Sequence, residues 1–242
     1  MGERFSVAVV TDWQGVAGPA ICNALVQAGF SVFINGPQEV LFHIHPSDSM
    51  GKILAQPFDT TDEKEVQATF MSCADHLGGI DVLINNNYFW NDAALDDITE
   101  KMWGEVIDHG LKSAFYCSRA ASRFMKVQGY GKIINVLSSS AFNGVYTQFA
   151  SICAGIHSLT KSLARELAPE VRVNSVAPGL IDEPWIDEGG DKSFRQSLIA
   201  DIPLKRLCTN DDIAEAVSYL ACGADFMTGQ MLILDGGENI GG

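Results

Sequence analysis

The residue types best suited to chemistry lie in one stretch of this chain. It comprises the serines Ser138, Ser139 and Ser140 and the segment GVYTQFASICAGIHSLTKSLARELAP, residues 144–169. The serines offer hydroxyls, Tyr146 a phenol and Cys153 a thiol. A positioned hydroxyl or phenol can pass a proton, and a thiol becomes a nucleophile where a helix N-terminus lowers its pKa. Such a thiol also needs an activating base, and no His or Asp stands at a recognisable position beside Cys153. The expectation is a small buried residue at 153 and a solvent-exposed loop tyrosine at 146. The small residues Ala150, Ser151, Ala154 and Gly155 would let a helix pack closely against a neighbour. The six cysteines (Cys22, Cys73, Cys117, Cys153, Cys208, Cys222) form no CxxC, and His43 and His45 lack Cys or His partners at zinc-like spacing. No metal site is expected, and the cysteines read as buried thiols in a reducing compartment.

Those residues must be positioned by the elements around them. Continuously apolar runs (SVAVVTD, SVFING, KILAQPFD, IDVLINN, GKIINVLS, VRVNSVAPG, GQMLILDGG) alternate with helix-like segments. Strands without polar alternation belong to a parallel sheet buried on both faces. DEKEVQATFMSCADHLG is a helix with acids at its dipole-favoured start, ITEKMWGEVIDHGLKSAFYCSRAASRFMKVQ a long helical stretch, and NDDIAEAVSYLAC a helix with an Asn cap. There is no linker, repeat or low-complexity segment. The expected fold is α/β: one Rossmann-like, doubly wound domain over residues 1–242, with a seven-stranded parallel sheet.

The chain carries 16 basic and 30 acidic residues, a net charge of −14. That argues against nucleic acid, whose phosphates need Lys/Arg clusters. No apolar run reaches the length of a membrane span, and no signal peptide is visible. MGERFS fits the loose myristoylation pattern but reads as an ordinary start running into a first strand. The expected location is cytoplasmic, with no membrane partner.

The order of elements, together with IDVLINN, GKIINVLSS, SLTKSLARELA, VRVNSVAPG, PLKRL and MTGQMLILDGG, resembles the short-chain dehydrogenase/reductase family over nearly the whole chain. The resemblance implies NAD(P) at the carboxyl ends of the strands and hydride transfer between nicotinamide and an alcohol or ketone. It implies a Tyr acid/base with a Lys four residues later, a helping Ser and Asn, and a Thr-Gly-x-x-x-Gly-x-Gly phosphate turn.

Position by position, this chain departs from that pattern. In TDWQGVAG, Thr11 and Gly18 match, while Asp12 and Val16 stand where the first two glycines belong. A carboxylate repels a diphosphate, and a branched side chain at 16 would fill the space of backbone approach; Gly15 offers a shifted register. After the second strand, Asn35-Gly36-Pro37 supplies neither the acid of NAD-preferring members nor a basic residue. Asp59 matches the acid near the adenine and equally fits a cap for the following helix. Asn85-Asn86-Asn87-Tyr88 puts a Tyr where the family has Gly. Of the catalytic set only Ser138 survives, with Ser139 and Ser140 as near alternatives. Gly110 replaces the Asn, Phe149 the Tyr and Cys153 the Lys, and the loop from 138 to 149 is about two residues short. Tyr146 has Ala150, not Lys, four residues later.

The sequence therefore predicts no catalytic residues, no bound cofactor and no metal. The chain resembles the inactive partner subunits of heteromeric short-chain dehydrogenases, of which the hydroxyacyl-CoA dehydrogenase of anaerobic toluene (benzylsuccinate) degradation is one system. The expected partner is an active homologue in a heterotetramer, built through residues 101–127 and 149–168, whose faces are expected to be apolar. Two other readings stand beside it: an NAD(P)-dependent oxidoreductase with non-standard site residues, and a non-redox enzyme resembling halohydrin dehalogenases.

Overall fold

The computed structural model describes residues 6–43, 51–86, 93–186 and 192–240, apart from the side chains of residues 185 and 192. His45, Asn87, Tyr88 and the first five residues of the MGERFS pattern lie outside them. Seven strands form one all-parallel sheet in the order β3-β2-β1-β4-β5-β6-β7. They are β1 Val7–Val10, β2 Ser31–Ile34, β3 Ile53–Ala55, β4 Val82–Asn85, β5 Gly131–Val136, β6 Val171–Pro178 and β7 Met231–Leu234. β1, β2, β4 and β5 are buried at every position, as expected of Val- and Ile-rich central strands covered on both faces, and the few polar residues they carry, such as Asn85 and Asn135, are hydrogen-bonded to one another.

Helices cover both faces and split the core in two. Helix α1 (Gly18–Gln27) and α8 (Asn210–Cys222) pack on one face with Ile21, Leu25, Ile213 and Val217. Helix α2 (Glu63–Leu77), α4 (Ser113–Gln128) and α6 (Thr147–Glu166) cover the other with Phe70, Cys117, Met125 and Leu163. Two short helices, α3 (Glu100–Val106) and α5 (Ser140–Asn143), and α7 (Lys192–Ala200) complete the set.

Helix ends follow side-chain chemistry. Asp62 caps α2 by accepting the Lys64 and Glu65 N–H groups, and Gly78 closes it at φ 92°. Thus Asp62, not Asp59, is the cap. Asp59 instead accepts from the N–H and hydroxyl of Thr61, at 2.8 and 2.7 Å, which holds its carboxyl below the usual range. α8 is capped by Thr209 in a reciprocal capping box with Asp212, not by Asn210, because the Asp three residues on completes the exchange.

The long stretch from 100 to 128 is not one α-helix. Ile107–Lys112 between α3 and α4 is a π-helical turn, a form concentrated at functional sites. Ser113 donates to the carbonyls of His109 and Gly110 there. The outer faces of α4 and α6 differ from the expected apolar stripe. Ser151, Ala154 and Ser158 are exposed near the start of α6, but Lys161, Arg165 and Glu166 are exposed near its end, and Arg123 and Lys126 on α4. Five cysteines are buried as expected, while Cys222 is exposed at the end of α8.

Candidate functional site

Open parallel sheets bind ligands beyond the carboxyl ends of their strands, because loops and helix N-termini converge there. A cleft of about 570 Å³ lies at that edge. It is lined by the β1–α1 turn (Gln14, Gly15, Val16), the segment after β5 (Ser138–Ser140), the start of α6 (Tyr146, Phe149) and the loops after β6 and β7.

The β1–α1 turn is held tightly. A Cβ on Gly15 would stand 2.1 Å from the Asn86 carbonyl oxygen, and one on Gly18 equally close to the Trp13 carbonyl. The Asn86 side chain donates to the Asp12 carbonyl at 3.0 Å, and Asn86 N–H donates to the Thr11 hydroxyl at 3.0 Å. Gly15 and Gly18 are thus structurally required, and Gly15 supplies the close approach that its neighbour cannot. Val16 differs from its expected place: its side chain is 7% exposed and packs in the core beneath α1, so it borders the cleft without filling it.

Asp12 is the residue that closes the turn. Its carboxylate accepts the Gln14 N–H at 2.9 Å and draws also on the Gly15 N–H. Burial raises its carboxyl above the ordinary value, against the pull of those two N–H groups and of His109. Backbone N–H groups of this kind are what such turns offer a phosphate. Here an internal carboxylate already takes the first of them, the Gln14 N–H.

The nucleoside side is closed as well. Trp13 lies against Gly36, its Cβ 3.0 Å from where a Cβ on Gly36 would stand, and its ring is 6.2 Å from that of His43. The Asn35 side chain is consumed in joining strands: it donates to the Thr11 and Phe58 carbonyls and accepts the Phe58 N–H. None of the cleft-lining residues among those described is Lys, Arg or His. The residues present therefore do not fit a dinucleotide.

At the other half, the structure brings Ser138, Phe149 and Cys153 together and turns the neighbourhood apolar. Phe149 (5% exposed) and Cys153 (2%) pack with Val106, Leu137, Ile152 and Ile156. Burial pushes the Cys153 thiol up to about 12, although the Ser138 N–H pulls against it, so it is no nucleophile near neutral pH. The Ser138 hydroxyl is used within its own segment, donating to the Ser140 hydroxyl at 3.1 Å and accepting the Ser140 N–H at 3.2 Å. Gly110, in the π turn, faces Ile152: a Cβ there would stand 2.5 Å from Ile152 Cγ2. The place of an Asn side chain is taken by Ile152.

Tyr146 is the exposed loop residue expected, and it also borders the cleft. It precedes α6 with φ 65° and ψ 91° and is 39% exposed. Sequence reasoning missed Trp13, Ile152 and the acids Glu183 and Glu238, both of which line the cleft. The last two had a signal, since each follows the end of a strand, β6 or β7. No group of three His, Cys, Asp or Glu among the described residues could hold a metal ion, and no described helix is long and apolar enough to cross a membrane.

The comparisons with known proteins agree with this architecture. The family described as Enoyl-(Acyl carrier protein) reductase matches residues 14–239. Nodulation protein G of Azospirillum brasilense is 32% identical, with 96% of this chain and 98% of the relative covered. The 3-oxoacyl-[acyl-carrier-protein] reductase of Vibrio cholerae is also 32% identical, with 98% of each chain covered. Among solved structures, a protein of Sinorhizobium meliloti 1021 described as a short-chain alcohol dehydrogenase superposes with a TM-score of 0.88 at 28% identity, covering 96% of both chains. A gluconate 5-dehydrogenase of Burkholderia cenocepacia, solved with NADP and tartrate, gives a TM-score of 0.88 at 25% identity, covering 98% of this chain and 96% of that one. With residues 14–239 matched by the family model and relatives 32% identical over nearly the whole length, the chain belongs to the short-chain dehydrogenase/reductase family.

Proposed function

We propose that this chain is a non-catalytic subunit that assembles with an active homologous short-chain dehydrogenase subunit, two copies of each, and supports that partner's NAD-dependent activity. The observation that carries the reading is the apolar packing at the acid/base positions: Phe149 and Cys153 are core residues, and Ile152 occupies the space beside Gly110. Acid–base catalysis contributes roughly 10²–10⁴-fold, and the side chains at 149 and 153 offer no group that titrates near neutral pH to supply it. Asp12 within the phosphate turn adds a second, independent loss.

Assembly is supported by what remains. β7 is an edge strand of four apolar residues, none of them buried, with Ile233 44% exposed. An edge of that composition favours pairing with another chain. The short small-residue face of Ser151, Ala154 and Ser158 on α6 admits a close helix–helix contact. Charge at the end of α6 restricts the apolar part of that contact to its first half. The relatives named as 3-oxoacyl-[acyl-carrier-protein] reductase and acetoacetyl-CoA reductase support a partner acting on thioester-borne oxo or hydroxy acids, in line with a hydroxyacyl-CoA dehydrogenase such as that of the benzylsuccinate route.

A second reading, an NAD(P)-dependent oxidoreductase with unusual site residues, is favoured by the activities for which these relatives are named and by the retained Gly15 and Gly18. One experiment separates the two. The chain is purified alone and after co-expression with an intact homologue encoded beside it, then sized by light scattering and assayed for NAD-dependent oxidation of 3-hydroxyacyl-CoA. The proposal expects a mixed tetramer whose turnover depends on the partner's catalytic residues and is unaffected by Ser138→Ala here. Separate elution of the two proteins, or turnover by this chain alone, overturns it.

A further inference from the structure

The cleft has a volume within the range of small-molecule sites. Its charged lining is acidic throughout among the described residues, and the charge stands unpaired. The Glu238 carboxylate reaches over the end of β6, with Oε2 3.4 Å from where a Cβ on Gly179 would stand. Among the described residues no hydrogen bond or ion pair engages that carboxylate. Burial raises its carboxyl, and Asp235 and Asp201 add to the rise, so a cation beside it would relieve an existing strain. Asp235 cannot rearrange to help, since it is occupied by the Gly237 and Asn239 N–H groups and the Asn239 amide. Glu183 lines the same cleft.

Two further observations point to a ligand rather than to a solvated acidic patch. Ser139 is 3% exposed and lines the cleft, and its hydroxyl makes no hydrogen bond among the described residues. The residue is buried but its hydroxyl is open to the cleft, so a bound donor or acceptor there would take the place of water on it. Tyr146 is held in left-handed backbone at the rim, a conformation that costs on the order of 1–3 kcal/mol for a residue other than glycine and that concentrates at ligand clamps. An aromatic ring beside carboxylates is the recognition chemistry of organic ammonium ions. A bare metal ion is not favoured, because among the described residues no set of three ligating side chains converges there.

We propose that the cleft binds a small organic ammonium ion, held by the Glu238 and Glu183 carboxylates and the Ser139 hydroxyl, with its apolar body against Tyr146 and Phe149. This rests on the reading that no dinucleotide takes the same space. The test compares two probes of nearly equal shape and opposite charge, 2-phenylethylammonium and 3-phenylpropionate, by calorimetry near pH 7, with NADH as a third titrant. The ammonium ion is expected to bind one per chain at about millimolar strength or better, and the carboxylate at least about tenfold more weakly. Glu238→Gln and, separately, Ser139→Ala are each expected to weaken ammonium binding severalfold while the unfolding midpoint stays near that of the parent. Equal binding of both probes, no saturation by the ammonium ion below about 10 mM, or unchanged affinity in Glu238→Gln overturns the assignment. Saturable NADH binding would instead overturn the dinucleotide-free reading, and so is distinguishable from failure of the ammonium site alone.

Discussion

The two halves of the cleft differ in kind. Around α6, at the positions where the resemblance leads one to expect polar groups, the side chains are core: Phe149, Cys153 and Ile152 pack together, and Ile152 fills the space beside Gly110. Around the β1–α1 turn the backbone geometry is kept. Gly15 and Gly18 still allow contacts that no side chain could. What has changed there is occupancy, since the Asp12 carboxylate sits on the Gln14 and Gly15 N–H groups. Replacement by core makes each lost group costly to restore, because close-packed interiors resist added volume and charge. Self-occupation leaves the scaffold intact and costs one residue to undo.

The largest expected effect is therefore in the α6 half. Cys153→Lys places an ammonium group at a position only 2% exposed and is expected to destabilise the chain by about 3–5 kcal/mol in urea unfolding at pH 7. The buried amine would have its folded pKa depressed below its unfolded value, so the folded state holds fewer protons. Stability of the variant should then recover as pH rises between those two values. A variant as stable as the parent at pH 7 would mean that position 153 opens to water.

Gly15→Ala probes the other half. A methyl 2.1 Å from the Asn86 carbonyl oxygen forces backbone movement, and a loss of about 2–3 kcal/mol is expected. A loss below about 0.5 kcal/mol would show that the turn is loose and that its glycine is incidental. Phe149→Tyr should cost about 1–2 kcal/mol, from burying a hydroxyl in the apolar group around Ile152 and Ile156. Combined with Cys153→Lys, it should still give no NAD-dependent turnover in a stopped assay of 3-hydroxyacyl-CoA oxidation. Turnover by the double variant would break the contrast between the halves.

The smallest effect is expected for Asp12→Asn. The amide oxygen can still accept the Gln14 N–H, and the buried charge is gone, so stability at pH 7 should rise by less than about 1 kcal/mol. The folded carboxyl of the parent is raised, so the parent gains stability as pH falls through that value toward the ordinary carboxylate range. That part of the pH profile should be absent in the variant.

The fold was legible because its signal is repeated. Seven short runs dominated by Val, Ile and Leu and alternating with helices leave few alternatives to a parallel sheet with both faces covered. The burial of Cys153 was legible as well, since no His or Asp stands beside it in the sequence to make use of an exposed thiol. What escaped the sequence depends on contacts between distant segments. Ile152 filling the space beside Gly110 requires the π turn to face α6, and no local pattern fixes that. Val16 turning into the core beneath α1, and Trp13 closing over Gly36, depend on the path of a single tight turn. The caps at Asp62 and Thr209 were missed by three residues and one residue because several Asp, Asn and Thr stand side by side and only geometry chooses between them.

Whether this cleft excludes a nicotinamide dinucleotide is decided by calorimetric titration of the purified chain with NADH. No saturable heat is expected up to about 1 mM ligand, because Asp12 takes the Gln14 N–H of the turn and no basic residue lines the described cleft. A one-to-one isotherm with a low-micromolar Kd would contradict that expectation.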